Sequence, residues 1–188
     1  MEIKINLPLT KDKLKTLKAG DSCLLSGVMY TGRDAAHKRL FELINEGKDL
    51  PVDIKDSTFY FVGPTPKKDG EPIGSAGPTT SYRMDAYSPS LIAMGQTGMI
   101  GKGIRNDDVI NAMKTYGAVY FGAIGGCGAL LSKCIKKCEV VAYEDLGTEA
   151  IHRLEVEDFP VVVIIDSEGN NLYKTGREAY LKSLREDI

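Results

Sequence analysis

Three short stretches place a cation or a run of hydroxyls beside glycine, and each suits an anion. Gly32-Arg33-Asp34-Ala35-Ala36-His37 opens a helical pattern, where free backbone N–H groups and the helix dipole favour negative charge. An arginine there can take a carboxylate in a bidentate fork, which a lysine cannot. Arg33 has an alternative use, pairing with Asp34 or capping a neighbouring helix. Gly77-Pro78-Thr79-Thr80-Ser81-Tyr82-Arg83-Met84-Asp85 lines up three hydroxyls with a guanidinium a few residues on. Hydroxyl runs before a helix commonly serve as N-caps, and Arg83 so close by makes that reading incomplete. Gly101-Lys102-Gly103 lets a ligand approach the backbone beside a compact point charge, unless Lys102 is simply a solvated turn residue. His37 lies one helical turn beyond Arg33, so it either faces the same pocket or sits on the helix surface. Together Arg33, Arg83, Lys102 and the hydroxyls of Thr79, Thr80 and Ser81 fit a small dicarboxylate. Each carboxylate needs cationic partners, and a reacting carbon between them needs a proton acceptor.

Other constellations carry less. Cys127, Cys134 and Cys138 could in principle ligate metal, the last two at i, i+4 on one helical face. They lack the C-x2-C pairs of structural zinc sites, and Cys134 and Cys138 fit an apolar stripe with Leu130, Leu131 and Ile135, so buried thiols are the preferred reading and no metal site is expected. Gly125-Gly126-Cys127-Gly128 resembles a dinucleotide turn only loosely, with no acidic ribose partner at the expected offset. His152 has no evident partner.

The elements that must position these groups alternate between strand and helix. An edge strand is expected over Ile3 to Pro8, a short helix over Lys11 to Leu17 capped by Thr10, and a strand over Ser22 to Met29. A helix then carries Ala36, Leu40, Leu43 and Ile44. A strand over Thr58 to Val62 leads into a Gly/Pro-rich loop from Gly63 to Thr80, and an ordered loop of that length is usually functional. A helix is expected beyond Ser81 and another over Asp107 to Tyr116, capped by Asn106 or Asp107. Ala118 to Ile124 reads as a buried strand and Ala129 to Lys137 as a helix. Strands over Glu139 to Tyr143 and Val161 to Ile165, a turn at Asp166-Ser167-Glu168-Gly169 and a helix from Arg177 to Leu184 complete the pattern. This is an α/β chain, or a layered β/β/α one, with functional loops at one sheet edge.

Composition narrows the partners. The chain has 188 residues, 43% hydrophobic and 27% charged, enough for one core and too few for two ordinary domains, so one domain over 1–188 is expected. A net charge of -2 gives no broad footprint for nucleic acid or an anionic membrane. No secretion-type apolar segment opens the sequence, and no stretch approaches the roughly 18 apolar residues of a spanning helix. A cytoplasmic location is therefore expected, with all four cysteines reduced.

The stretches SGVMYTGRDAAHKRL, YFVGPTPKKDGEPIGSAGPTTSYRMD, MIGKG and YFGAIGGCGALL resemble, in order, the beta subunit or C-terminal domain of the iron-sulfur class I fumarases and L(+)-tartrate dehydratases. GRDAAH combined with GPTT-x-x-RMD is the specific part. The resemblance implies a swivelling β/β/α domain that meets a separate helical alpha subunit, whose three cysteines hold a 4Fe-4S cluster. It implies reversible hydration of a C4 dicarboxylate, fumarate to malate, with a cluster iron acting as Lewis acid on the hydroxyl. Arg33 and Arg83 would clamp the carboxylates, Lys102 would add charge near enolate-like oxygens, and Thr79 would handle the proton, with His37 near the substrate. Thr80 and Ser81 stay open as alternatives for the proton. Tartrate or a related hydroxy-diacid is the second substrate reading, and a non-catalytic small-carboxylate-binding module is the rival from another class. A homodimer within a heterotetramer is the assembly the family implies. Cys127 and Gly128 depart from the alanine-like residues expected at their positions.

Overall fold

Strand pairing in the computed structural model, which describes residues 2–186, forms a ring. The strands are β1 (Ile3–Asn6), β2 (Ser22–Thr31), β3 (Thr58–Tyr60), β4 (Gly98–Gly101), β5 (Val119–Gly122), β6 (Ile135–Ala142) and β7 (Ile151–Ile165). Their order is β1-β2-β3-β4-β5-β7-β6, and β2 also pairs with β7. The circuit β2, β3, β4, β5, β7 therefore closes on itself and leaves only β1 and β6 as edges, which removes most of the unpaired backbone an open sheet would expose.

Alternation along each strand divides two cores. Met29, Tyr60, Ile100, Phe121 and Phe159 face the ring interior. Phe59, Phe61, Met99 and Tyr120 face outward, under α2 (Asp34–Asn45), α3 (Ser88–Ala93) and α4 (Asp107–Tyr116). Strand face on strand face, then helix, is the layered β/β/α order read from the sequence. Strands β2 to β5 run parallel, so Thr31, Tyr60, Gly101 and Gly122 end on one edge of the sheet. Loops at that edge are where ligands bind in open parallel sheets.

Several sequence expectations hold closely. Helix α4 has the expected bounds, and Asn106 caps it by accepting the Val109 N–H at 2.9 Å. No helix or strand interrupts the Gly63 to Thr80 loop. Helix α1 (Lys11–Leu14) stops a turn early, and Thr10 precedes it without a side-chain cap bond. The helix beyond Ser81 is split into a 3-10 turn, Ser81–Met84, and α3. The last helix, α6 (Leu172–Glu186), starts earlier than Arg177.

Two corrections concern the second half. The expected helix from Ala129 to Lys137 is only α5 (Gly128–Leu131) and a 3-10 turn, after which the chain is already β6. Cys138 pairs in register with Leu154 across β6 and β7, so Cys134 and Cys138 share no helical face. The apolar stripe satisfied helical spacing, yet Leu130 is 62% exposed, and ladder pairing with β7 overrides local propensity. Strand β7 begins at Ile151, well before the expected Val161; Asp158 (φ +47°) and Pro160 look like breakers in the sequence and hide its first half. Pro160 is tolerated because β6 pairs with β7 up to Val156 and β5 from Val162 onward. Its missing N–H therefore falls where that side of β7 is unpaired. Strand β4, four residues with glycine at both ends, gave no sequence signal. No helix among the described residues is long and apolar enough to cross a membrane.

Candidate functional site

The sheet edge at the ends of β2, β3 and β4 gathers all three anion-suited stretches. Arg33 stands at the N-cap position of α2, directly after β2. Thr79 donates its N–H to the Phe61 carbonyl, just past β3, at 2.7 Å. Its own carbonyl accepts the Lys102 N–H at 3.3 Å, and Ser81 N–H donates to the Lys102 carbonyl at 2.9 Å. Thr80 and Lys102 thus form a parallel bridge that extends β4. The hydroxyl loop and the Gly-Lys-Gly loop are one backbone unit. Arg83 follows on the 3-10 turn and, like Lys102, is exposed. The Lys102 ammonium lies 3.8 Å from where a Cβ on Gly125 would stand, so the turn after β5 borders the same face.

Arg33 joins this face through Gly63, where an added Cβ would sit 3.1 Å from the arginine Cδ and Nη1. Only glycine lets the guanidinium lie against that backbone. Its Nη2 pairs with Glu149 at 3.1 Å and approaches Asp34 at 3.6 Å, while its Nε is buried without a partner. The Asp34 alternative is therefore partly realised, and the stronger contact is to Glu149 from the kinked segment before β7.

His37 is not on the helix surface. It is fully buried, its ring edge-on to Phe59 and Phe61. The Arg33 carbonyl accepts from both the His37 backbone N–H and Nδ1, each at 2.9 Å. Nδ1 must then carry the proton, leaving Nε2 as a bare, unpartnered acceptor. Burial lowers the His37 pKa to about 4, and Arg105 pushes the same way. The neutral imidazole holds the residue that carries the guanidinium.

The three hydroxyls separate by geometry. Ser81 is buried, and its Oγ lies 2.9 Å from the Tyr120 hydroxyl. Tyr120 donates to the Gly103 carbonyl at 2.9 Å. A phenol has one proton, so Ser81 must donate to Tyr120, and its own proton is committed. Burial pushes the Tyr120 pKa up, so that phenol stays protonated. Thr79 and Thr80 are half-buried, and neither hydroxyl has a partner among the described residues.

A buried pair missed from sequence lies beneath both loops. Arg105 is 5% exposed and Asp85 6%. Arg105 Nε donates to Asp85 Oδ1 at 2.6 Å, Nη2 to Ser88 Oγ at 2.7 Å, and Nη1 meets the Met99 sulfur at 3.2 Å. The guanidinium also stacks 5.4 Å and 5.1 Å from the Phe61 and Tyr120 ring centroids. The signal was faint: Asp85 closes the RMD motif and Arg105 stands two residues past Gly101-Lys102-Gly103, yet charged side chains read as surface by default.

Cysteine chemistry does not fit a cluster here. All four thiols are free, and no group of three His, Cys, Asp or Glu among the described residues could hold a metal ion. Burial pushes the Cys23 thiol up to about 11 and also raises Cys134 and Cys138. This opposes the thiolate a metal requires. Cys127, Cys134 and Cys138 pack partly against the ring interior. His152, without an evident partner in sequence, accepts or donates with Thr31 Oγ1 at 3.1 Å. A cleft of about 310 Å³ beside the Arg33–Glu149 pair is lined by Pro64, Thr65, Cys138, Gly147, Thr148 and His152 among others. Thr79, Arg83 and Lys102 stand outside it, on an open face.

Over residues 1–176 the chain matches the family described as Fumarase C-terminus. It is 40% identical over 178 residues to the anaerobic class I fumarate hydratase of Escherichia coli (strain K12), covering 93% of this chain and 32% of that protein. Fumarate hydratase 2 of Leishmania major is 35% identical over 175 residues, 92% of this chain and 31% of that one. The chain thus spans about a third of the length of these relatives. A Methanocaldococcus jannaschii protein provisionally named L(+)-tartrate dehydratase subunit beta matches end to end. It is 38% identical over 194 residues, 100% of this chain and 99% of that one.

Proposed function

Since the chain belongs to the Fumarase C-terminus family, we propose that it is the beta subunit of a hydro-lyase that reversibly hydrates a C4 dicarboxylate, fumarate to malate. The observation that carries this reading is the fusion of the Thr79 and Lys102 loops by backbone hydrogen bonds. Arg83 and Arg33 flank them on the same sheet edge. Arg33 and Arg83 take the two carboxylates, and Lys102 supplies positive charge beside the oxygens that become enolate-like. Thr79 moves the proton at the reacting carbon, its partnerless hydroxyl relying on that cationic surround because a threonine alcohol is a poor base unaided. Ser81, its proton engaged by Tyr120, is a support. In this reading a substrate carboxylate at Arg33 displaces Glu149 from its 3.1 Å pairing with that guanidinium.

The site is open, and the reading assigns its other wall to an alpha subunit. Tyr82, Ile104 and Ile124, near Arg83, Lys102 and Gly125 in sequence, are 60%, 68% and 68% exposed, and in this reading the alpha subunit covers them. The 4Fe-4S cluster belongs to that partner in this reading, supplying a Lewis-acidic iron, and this chain's thiols take no part. Two copies with two partners, working in the cytoplasm, complete the proposal. L(+)-tartrate is the second substrate reading, favoured by the name of the relative that matches over its full length.

The test is anaerobic co-expression with the alpha subunit and direct reading of fumarate absorbance. Interconversion of fumarate and malate is expected. A loaded cluster with no turnover of fumarate, malate or tartrate would reject the enzyme reading in favour of a binding module.

A further inference from the structure

The two exposed cations of the fused loops each sit a few residues before one half of the buried ion pair. Arg83 precedes Asp85 within one 3-10 turn and its cap, and Lys102 precedes Arg105 in the loop after β4. The Asp85 carboxylate grips the second loop twice, through Arg105 Nε at 2.6 Å and the Asn106 N–H at 2.7 Å. Arg105 in turn spends Nη2 on Ser88, at the start of α3, and Nη1 on Met99 in β4. Every nitrogen of the guanidinium is thereby used, and its plane is fixed between the rings of Phe61 and Tyr120. The Tyr120 hydroxyl fastens the same two loops a second time, at Ser81 and at Gly103.

We propose that the Arg105–Asp85 pair is a positioning device that fixes the turn carrying Arg83 on the sheet edge, and so sets the span from Arg83 to the carboxylate held at Arg33, the length of diacid the site accepts. The inference rests on the diacid reading above and adds the source of its chain-length selectivity. A buried ion pair is a poor source of net stability and a good source of one fixed geometry. A lysine at position 105 could reach Asp85 but could not also hold Ser88 and Met99 in one plane.

The test uses the cluster-loaded complex and three saturated diacids, malonate, succinate and glutarate, as competitive inhibitors. Wild type is expected to bind succinate best. In Arg105→Lys, with partner association retained, the glutarate-to-succinate ratio of inhibition constants is expected to fall about tenfold, the equivalent of one lost charge-assisted hydrogen bond. All three constants rising by one common factor would show mere structural weakening, and unchanged constants would show no role; either overturns the proposal. Should Arg105→Lys fail to assemble, Ser88→Ala decides: a smaller fall in the same ratio supports the proposal, and an unchanged ratio overturns it. Wild-type binding of none of the three diacids would instead reject the diacid reading itself.

Discussion

Lowering pH should destabilise this protein through His37, and the size of the effect follows from its surroundings. The ring is fully buried between Phe59 and Phe61, and its pKa falls from 6.5 to about 4, first because of burial and then because of Arg105; Asp34 and the Arg33 carbonyl oppose the shift. The unfolded chain binds a proton on this residue below about pH 6.5, and the folded chain does not until about pH 4. Between those values the unfolded state holds more protons, so stability rises with pH and is lost as pH falls through the window. A gap of about 2.5 units at about 1.4 kcal/mol each gives a loss of about 3 kcal/mol between pH 7 and pH 4. Other groups titrate in that range, so the measurement is a difference. Urea unfolding of wild type and of His37→Asn, whose side-chain amide can still donate to the Arg33 carbonyl, would be compared at pH 7 and pH 4.5. Wild type should lose about 2 to 3 kcal/mol more than the variant on acidification. Parallel losses would mean that His37 titrates normally and is not sealed beneath Arg33.

Two further outcomes are expected. A Cβ on Gly128 would lie 2.5 Å from Ser75 Oγ and 2.8 Å from the Gly77 nitrogen, so Gly128→Ala should push the loop that leads into Thr79 and cost about 1 to 3 kcal/mol. Thermal melting and the KM for substrate would both register the change, and an unaltered melt would show that the loop yields freely. In the complex, Thr79→Val should cut kcat by about 100-fold or more, a typical proton-transfer contribution, while Ser81→Ala should lower the melting temperature more than the rate. Rate losses in the opposite order would move the proton chemistry to Ser81.

Legibility in the sequence followed the range of the interactions. Helix α4 carried its own cap and apolar face, so its bounds were readable from Asn106 to Tyr116. The anion-suited loops were readable because glycine beside arginine, lysine or threonine is a local signal. The first residues of β6 read as helix because Leu130, Leu131, Cys134, Ile135 and Cys138 satisfy helical spacing, and only pairing with the distant β7 decides between the two; from Glu139 onward the strand is legible. The first half of β7 was hidden by Asp158 and Pro160, whose tolerance depends on which neighbours are absent there. At the site, the loops of Arg33, Thr79, Arg83 and Lys102 carry a local signal, whereas Asp85, Arg105 and Tyr120 do not. Nothing local announces that a charged residue will be buried; the three-dimensional meeting of two motif ends does.

Arg83→Lys in the cluster-loaded complex bears most directly on the idea that this face clamps a diacid. Lysine keeps the charge and loses the two-pronged carboxylate contact, so kcat/KM should fall about 100-fold, on the order of 2 to 3 kcal/mol, with the melting temperature and partner association unchanged. Near wild-type kinetics in that variant would contradict the account.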